Sequence, residues 1–294
     1  MSLRTSVGFA HEPNHALGPL VGMFATLPSV PDYTLRDSLA EVFEGCQSGA
    51  IDIDAVELNN VLEFCENFAT DVARSDEPTG LSEHLIGSVT LYTSQFPSGD
   101  HRSVYFVLNL LLRNEDRNRL QPFARFLWLL LHALKGCTCA EKLLGIRTVN
   151  RGLKGVLNSD QYALGREIVW YQISSCSTDL SVQTDFLGDV GARVLFIIEL
   201  RCGRARDISR YSAHPEEKEV VLPPNSRFIV TGVLPQGELS IVNMREVAPL
   251  DPILEFGATA NHQVRLLRRI IFIASTRREG KNHAYNTVDV ALCL

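Results

Sequence analysis

Three groups of polar residues in the second half of the chain have the side chains that one reaction requires. Glu217 and Glu219 precede a Val-Val-Leu-Pro-Pro segment, and upstream of them lie Arg151-Gly152 and the Ser-Cys-Ser run that begins at Ser175. A guanidinium binds a pyrophosphate through its planar fork of donors, and a carboxylate stabilises the positive charge that develops on a sugar as its glycosidic bond breaks. A hydroxyl orients that carboxylate by hydrogen bonding. These residues can therefore hold a dinucleotide and cleave it at the sugar.

The order and the flanks of these groups resemble the R-S-E signature of the arginine-specific mono-ADP-ribosyltransferases. The resemblance implies NAD as substrate and an α+β fold, in which a helical N-terminal subdomain packs on a mostly antiparallel two-sheet β core. Two positions depart from the family pattern and alter the nicotinamide pocket: Asn150, where an aromatic residue commonly precedes the arginine, and Cys176. The similarity covers about residues 85 to 250, through Leu91-Tyr92-Thr93, Val107 to Arg113, Pro122 to Leu134, Phe186-Leu187-Gly188 and Val194-Leu195-Phe196.

Each signature residue has an expected role. Glu219 stabilises the positive ribose and, by the resemblance, hydrogen-bonds a ribose hydroxyl, while Arg151 clamps the phosphates and Ser175 positions Glu219. Glu217 orients the acceptor arginine and takes its proton, because a protonated guanidinium is a poor nucleophile. Two residues apart on one predicted strand, the glutamates should point to the same face. The remaining NAD contacts that the resemblance implies are Gly152, Ser177 and Phe186.

Each of these residues taken alone has a simpler interpretation. Glu217 and Glu219 can be exposed carboxylates on an edge strand, Arg151 can form a surface salt bridge, and Ser175 can be a turn hydroxyl. Taken together, they predict a glycosyl transfer in which ADP-ribose passes from NAD to arginine side chains of a protein, with release of nicotinamide. Two alternatives stay open: a NAD glycohydrolase, in which water replaces the acceptor, and a catalytically inactive relative that acts as an interaction module.

The first half of the chain carries helical patterns that must support this site. Thr34 to Asp37 reads as a capping box, and apolar residues then recur at helical spacing from Leu35 until Gly45. A second apolar stripe runs from Leu58 to Val72. Val104–Leu112 and Phe123–Leu131 are apolar nearly all round, which predicts buried helices.

From about residue 145 the pattern changes to short runs rich in β-branched and aromatic residues, separated by Gly and Pro. This spacing predicts mostly antiparallel sheets and hence the α+β class. We expect a helical region at residues 1–140 and a β-rich NAD-binding core at 141–294, integrated as one catalytic unit from about 85 to 250. The predicted strands are Ile168–Ile173, Arg193–Ile198, Lys218–Leu222, Arg227–Val233 and Leu239–Met244.

Composition and charge describe an ordinary globular protein. With 45% hydrophobic residues and a net charge of -6, the chain gives no sign of a nucleic-acid partner. Its 7 cysteines are scattered and odd in number, which argues against a disulfide framework, and their spacing predicts no metal site. No signal-peptide pattern and no membrane-spanning run is present, so we expect a cytoplasmic protein, with export by a non-classical route as the alternative.

Overall fold

Helices and one sheet make up the described part of the chain, which confirms the predicted α+β class. The computed structural model describes residues 17, 20–75, 77, 79–99, 102–181, 187–250 and 252–256. Phe186, a predicted NAD contact, lies outside these residues, as does the part of the predicted β-rich core from residue 257 onward.

The first described α-helix begins with the predicted capping box. The Thr34 hydroxyl accepts a hydrogen bond from the backbone N–H of Asp37, and the Asp37 carboxylate accepts one from the N–H of Thr34. Two donors that a helix start would otherwise leave unpaired are thereby satisfied. The helices are α1 (Leu35–Ser38), α2 (Ala40–Ser48), α3 (Ala55–Ala73), α4 (Glu83–Thr93), α5 (Val104–Leu112), α6 (Ala124–Gly136) and α7 (Ala140–Leu143).

The prediction that the first helical run ends at Gly45 is wrong. The run is divided at Leu39, and α2 then continues to Ser48, where Gly49 takes a left-handed φ of 74°. Gly45 is needed for packing, because a Cβ at this position would come within 2.5 Å of Ile51 Cδ1. The left-handed conformation that ends the helix is therefore adopted by Gly49, the next glycine in the chain.

Helices α4, α5 and α6 lie at the centre of the first of two hydrophobic cores. Most residues of α5 and α6 are buried, as their nearly all-round apolar sequences predicted. Helix α4 is buried to a similar extent, although the hydroxyls of Ser88, Thr90 and Thr93 interrupt its apolar pattern. Each of these hydroxyls donates to a carbonyl within its own helix, so none is left unpaired in the core.

The strands that follow are short, and each has a defined pairing partner. They are β1 (Thr138–Cys139), β2 (Thr148–Lys154), β3 (Glu167–Trp170), β4 (Ser174–Ser177), β5 (Arg193–Glu199), β6 (Arg206–Asp207), β7 (Glu219–Leu222), β8 (Ser226–Gln236) and β9 (Leu239–Val247). Their order across the described sheet is β1-β6-β7-β4-β2-β5-β9-β8-β3. Neighbours pair antiparallel except β5 and β9, which are parallel.

The two sheets expected from the resemblance are joined into one array at a narrow junction. Among the described residues, β2 and β4 share a single pair, Asn150 with Ser177, whereas β2 pairs with β5 along its whole length. We call this pair the junction. It divides the sheet into a half that contains β1, β6, β7 and β4 and a half that contains the other five strands. The strands of Arg151 and of the serine motif, β2 and β4, lie at the junction.

The prediction of one strand over Ile168–Ile173 is wrong in its second half. Strand β3 ends at Trp170, because it pairs with β8 at the far edge of one half while β4 belongs to the other half. The chain crosses between the halves through Tyr171 to Ile173. Trp170 packs in the second hydrophobic core, which the larger half of the sheet supplies for the most part.

The second core supplies a test of the fold. Phe196 is fully buried, with its ring centroid 5.1 Å from that of Tyr162 and 5.2 Å from that of Trp170. We expect Phe196→Ala to lower the free energy of unfolding by about 3–5 kcal/mol, as measured by urea denaturation. Phe64 is 54% exposed, so the control Phe64→Ala should cost less than about 1 kcal/mol. Equal losses for the two variants would contradict this packing.

Candidate active site

Arg151 lies on β2, one residue beyond the junction, where β2 and β4 have separated. Its side chain is 3% exposed, and Nη1 donates to the carbonyl of Ser175 on β4 at 2.6 Å. The guanidinium carbon lies 5.9 Å from the centre of the Trp170 ring, which belongs to the same half of the sheet as β2. Nε and Nη2 make no close hydrogen bond within the described residues, and the Tyr105 hydroxyl lies near the guanidinium. The arginine therefore bridges the two halves and keeps donors available for an anion.

The serine motif forms β4, which pairs with β7 in antiparallel register. Ser175 is opposite Val221, and Ser177 is opposite Glu219. Directly opposed residues share a face of the sheet, so both serines lie on the face of Glu219. Ser175 is half-buried and Ser177 is buried. The carbonyl of Ser175 thus holds Arg151, while the strand itself sets the position of the glutamate.

Glu219 is the first residue of β7 and is 1% exposed. Its carbonyl accepts a hydrogen bond of 3.1 Å from the N–H of Ile208, so its backbone is held from both sides, by β4 and by the chain that follows β6. Both Glu219 and Arg151 lie near the thiol of Cys176. Burial raises the pKa of that thiol to about 12, Arg151 lowers it and Glu219 raises it. The guanidinium and the carboxylate therefore both influence one thiol on β4, the strand that lies between β2 and β7.

The prediction that Glu217 and Glu219 share one strand and one face is wrong. Pro215–Glu217 forms a 3₁₀ turn, and Lys218 takes a left-handed conformation, with φ 48° and ψ 51°, before β7 begins. Proline at the start of the turn favours this geometry, because its φ is fixed near the helical value. Glu217 is half-buried, and its carbonyl accepts a hydrogen bond of 3.3 Å from the hydroxyl of Ser177. Ser177 thus contacts the turn and also faces Glu219.

The other predicted NAD contacts have different outcomes. Gly152 lies on β2 opposite Leu195 and is buried at the junction side of the strand. Ser177 is in the site, as described above. Phe186 cannot be placed, because it lies outside the described residues. The assignment of NAD contacts to these three residues stays a prediction.

A polar brace from the helices, which sequence reasoning missed, holds the entrance to β4. The side-chain amide of Asn109 on α5 donates to the Tyr92 hydroxyl at 3.0 Å, and its oxygen accepts from the N–H of Ile173 at 3.0 Å. The Tyr92 hydroxyl donates to the carbonyl of Ile173 at 3.3 Å. The backbone N–H and carbonyl of Ile173, the residue before β4, are thereby both satisfied. The available signal was one asparagine within an apolar helix, since a buried amide needs partners.

Helix α4 also holds the loop that leads to the glutamates. The Thr90 hydroxyl shares its proton between the carbonyls of Ile86 and Tyr211, at 3.1 and 2.9 Å, and the N–H of Ala213 donates to the Thr93 hydroxyl at 2.8 Å. Both threonines are fully buried. One helix therefore positions this loop and, through Tyr92, the serine strand.

The described residues contain neither a metal centre nor a membrane-spanning helix. No group of three or more His, Cys, Asp or Glu side chains there has an arrangement that could hold a metal ion. Of the helices in the described ranges, none combines the length and apolarity required to span a bilayer.

Comparison with known proteins places this geometry in a family. The family model for NAD:arginine ADP-ribosyltransferases matches residues 63–249. Ecto-ADP-ribosyltransferase 5 of Rattus norvegicus is 29% identical over 175 residues, which are 57% of this chain and 53% of the rat protein. The chain thus spans about half the length of this curated relative.

Solved structures of ADP-ribosyltransferases align with this chain. The crystal structure of the eukaryotic mono-ADP-ribosyltransferase ART2.2 aligns with a TM-score of 0.50 at 20% identity, over 73% of this chain and 87% of that chain. The ADP-ribosyltransferase HopU1 of Pseudomonas syringae pv. Tomato DC3000 aligns with a TM-score of 0.49 at 18% identity, over 65% of this chain and 87% of that chain. The likeness to ART2.2 shows the ADP-ribosyltransferase fold.

The polar brace gives a prediction for stability. Asn109→Ala leaves the N–H of Ile173 and the Tyr92 hydroxyl without this partner in a buried site, so we expect the free energy of unfolding to fall by about 2–4 kcal/mol. Asn60 is exposed on α3, and the control Asn60→Ala should change it by less than about 0.5 kcal/mol. Urea denaturation measures both, and an Asn109→Ala loss no larger than the control's would show that the brace contributes nothing.

Proposed function

Because the chain belongs to the NAD:arginine ADP-ribosyltransferase family, we propose that it transfers ADP-ribose from NAD to arginine side chains of a protein and releases nicotinamide. NAD is the substrate that this family uses. The observation that carries the proposal is that the strands of Arg151 and Glu219 flank β4, with the Ser175 carbonyl bound to Arg151 and Ser177 opposite Glu219. The charge for a pyrophosphate and the charge for a ribose would thus come from β2 and β7, the two strands that flank the serine strand β4.

Arg151 would bind the pyrophosphate of NAD. The carbonyl of Ser175 occupies Nη1, which leaves Nε and Nη2 without a close hydrogen bond among the described residues. A buried guanidinium with two unused donors is costly in an apolar setting, and an anion offsets that cost. The fixed fork geometry suits phosphate oxygens better than the point charge of a lysine does.

Glu219 would promote the breaking of the bond between ribose and nicotinamide. As that bond breaks, its electron pair leaves with nicotinamide and the ribose acquires positive charge, which a nearby carboxylate stabilises more strongly than it stabilises the ground state. Burial strengthens this effect, because the low local dielectric screens the charges less than water does. Pairing of β7 with β4 fixes the backbone that carries the carboxylate, which limits the reorganisation that the reaction requires.

Glu217 would act on the acceptor. The nitrogen of an arginine side chain forms the new bond to the ribose, and the proton that it loses passes to the Glu217 carboxylate. Its place on a turn, apart from the strand of Glu219, supports a division of roles between the two glutamates. The same separation favours NAD hydrolysis as a second activity, since water can replace the acceptor without any change at Glu219.

The role of Glu219 is tested by the isosteric change Glu219→Gln. Loss of the charge should reduce both nicotinamide release and transfer to agmatine, a free guanidine compound, by about 10²–10³-fold. Labelled NAD reports both rates in one assay. The control is Glu216→Gln, since Glu216 is an exposed carboxylate in the same segment, and it should leave both rates within about twofold. Full nicotinamide release by Glu219→Gln would overturn the proposed role.

The role of Glu217 is tested by Glu217→Gln in the same assay. Transfer to agmatine should fall by about 10²–10⁴-fold, the usual contribution of a general base, while NAD hydrolysis persists. Persistence of arginine modification together with a fall in hydrolysis would contradict this assignment. A wild-type chain that releases no nicotinamide and labels no agmatine would instead support the inactive relative.

A further inference from the structure

Lys218, between the two glutamates, has an unusual backbone conformation. Its φ of 48° and ψ of 51° lie in the left-handed region, which residues with a side chain adopt at some cost. Such a conformation persists only where surrounding contacts hold it. The conformation decides where Glu217 lies relative to Glu219, because Lys218 is the residue at which the chain passes from the turn into β7.

The N–H of Lys218 donates to the carbonyl of Pro215 within the turn at 3.3 Å, and the side-chain contacts of this residue come from the chain segment after β4. Lys218 Nζ lies 3.8 Å from Asp179 Oδ2, and the N–H of Asp179 donates to the Ser177 hydroxyl at 3.1 Å. That hydroxyl donates in turn to the carbonyl of Glu217 at 3.3 Å. Asp179 is itself fixed, since its Oδ1 accepts from the N–H of Ser181 at 3.0 Å and from the Ser181 hydroxyl at 2.6 Å.

These contacts form a closed ring that runs from Glu217 through Lys218, Asp179 and Ser177 back to Glu217. Lys218 and Asp179 have no catalytic role in the proposed reaction, and Ser177 contributes there only as part of the serine strand. Hydrogen bonds from Ser181 lower the pKa of the Asp179 carboxyl, and Lys218 lowers it further, so the carboxyl is ionised at neutral pH. The ring is thus complete under the conditions in which the reaction would run.

We propose that the ion pair between Lys218 and Asp179 is a latch that positions Glu217, and that it sets the partition of ADP-ribose between arginine and water. This inference rests on the proposed function. Lys218 and Asp179 are positioning residues, because neither contacts the reacting atoms; they act through the place of the Glu217 carboxylate. Glu219 is held independently by β4, so cleavage of NAD does not depend on the latch.

The exposure of the pair predicts a specific and limited effect. The Lys218 side chain is 65% exposed and that of Asp179 is 37% exposed, so the ion pair contributes little to folding and is screened by salt. A small shift in the position of the Glu217 carboxylate would still change the rate of transfer relative to the rate of hydrolysis. We expect loss of the latch to lower the ratio of agmatine transfer to NAD hydrolysis by about two- to fivefold, with hydrolysis unchanged within about twofold.

A double-mutant cycle tests the latch. The variants are Lys218→Met, Asp179→Asn and the double variant; Asn at 179 keeps an oxygen that can accept from Ser181 and removes only the charge. If the pair acts as a latch, the double variant should show the same ratio as either single variant. Ratios that multiply would mean that the two residues act independently, which overturns the proposal. Lys142→Met, at an exposed lysine of α7, is the control and should leave the ratio unchanged.

The dependence on ionic strength of the ratio of transfer to hydrolysis is a second test, because a purely structural role of the pair would not make this ratio depend on salt. Raising salt from about 0.05 M to about 1 M shortens the screening length severalfold, so the wild-type ratio should fall toward that of Lys218→Met, whose own ratio stays constant. Equal salt responses in the two proteins, or single variants with a wild-type ratio, would overturn the latch while leaving the proposed function intact. A wild-type chain that cleaves NAD but labels no agmatine would overturn both.

Discussion

The junction between Asn150 and Ser177 is the constraint on which the rest of the site depends. Two strands that pair at one residue and then separate leave backbone groups that the ladder would otherwise satisfy, and such groups need other partners when buried. Arg151 provides one, because its guanidinium donates to the carbonyl of Ser175. A charged donor makes a stronger hydrogen bond than a backbone N–H does, by a factor of about two. The Arg151 side chain therefore links β2 to β4 where the two strands separate, and its Nε and Nη2 lie in the space between them.

The helical region acts as the fixed support for this opening. A purely apolar contact between helices and sheet would leave the sheet free to slide, since hydrophobic attraction has no direction. The buried amide of Asn109 and the hydroxyls of Tyr92, Thr90 and Thr93 remove that freedom, because each must meet its partner or remain unsatisfied in the core. Helix α4 reaches both the residue before the serine motif and the loop before Glu219. One rigid element thus sets the distance between the two.

Sequence patterns predicted the strands whose side chains carry a clear β signal and missed those that form only through their neighbours. Strands β5, β8 and β9 contain runs of branched residues and were expected near their observed places. Strand β2 contains Asn150 and Gly152, and three of the four residues of β4 are serines, so neither segment has a strong local preference for the strand conformation. Both become strands because they pair with their neighbours in the sheet. The left-handed Lys218 was equally hidden, because lysine does not favour that conformation, although Pro215 signalled a turn. The boundary at residue 140 and the cytoplasmic location stay predictions.

The different placement of the two glutamates has a physical logic that a common strand would not provide. Stabilising a developing charge requires a group fixed before the reaction, and Glu219, buried and paired on a central strand, meets that requirement. Receiving a proton from a protein side chain requires a group that can adjust as a large partner approaches, and Glu217 on a half-buried turn is suited to this. Because exposed contacts hold Glu217, its position can change while Glu219 stays in place. Under the proposed function, donor cleavage and acceptor choice would therefore be controlled by separate parts of the structure, only two residues apart in the chain.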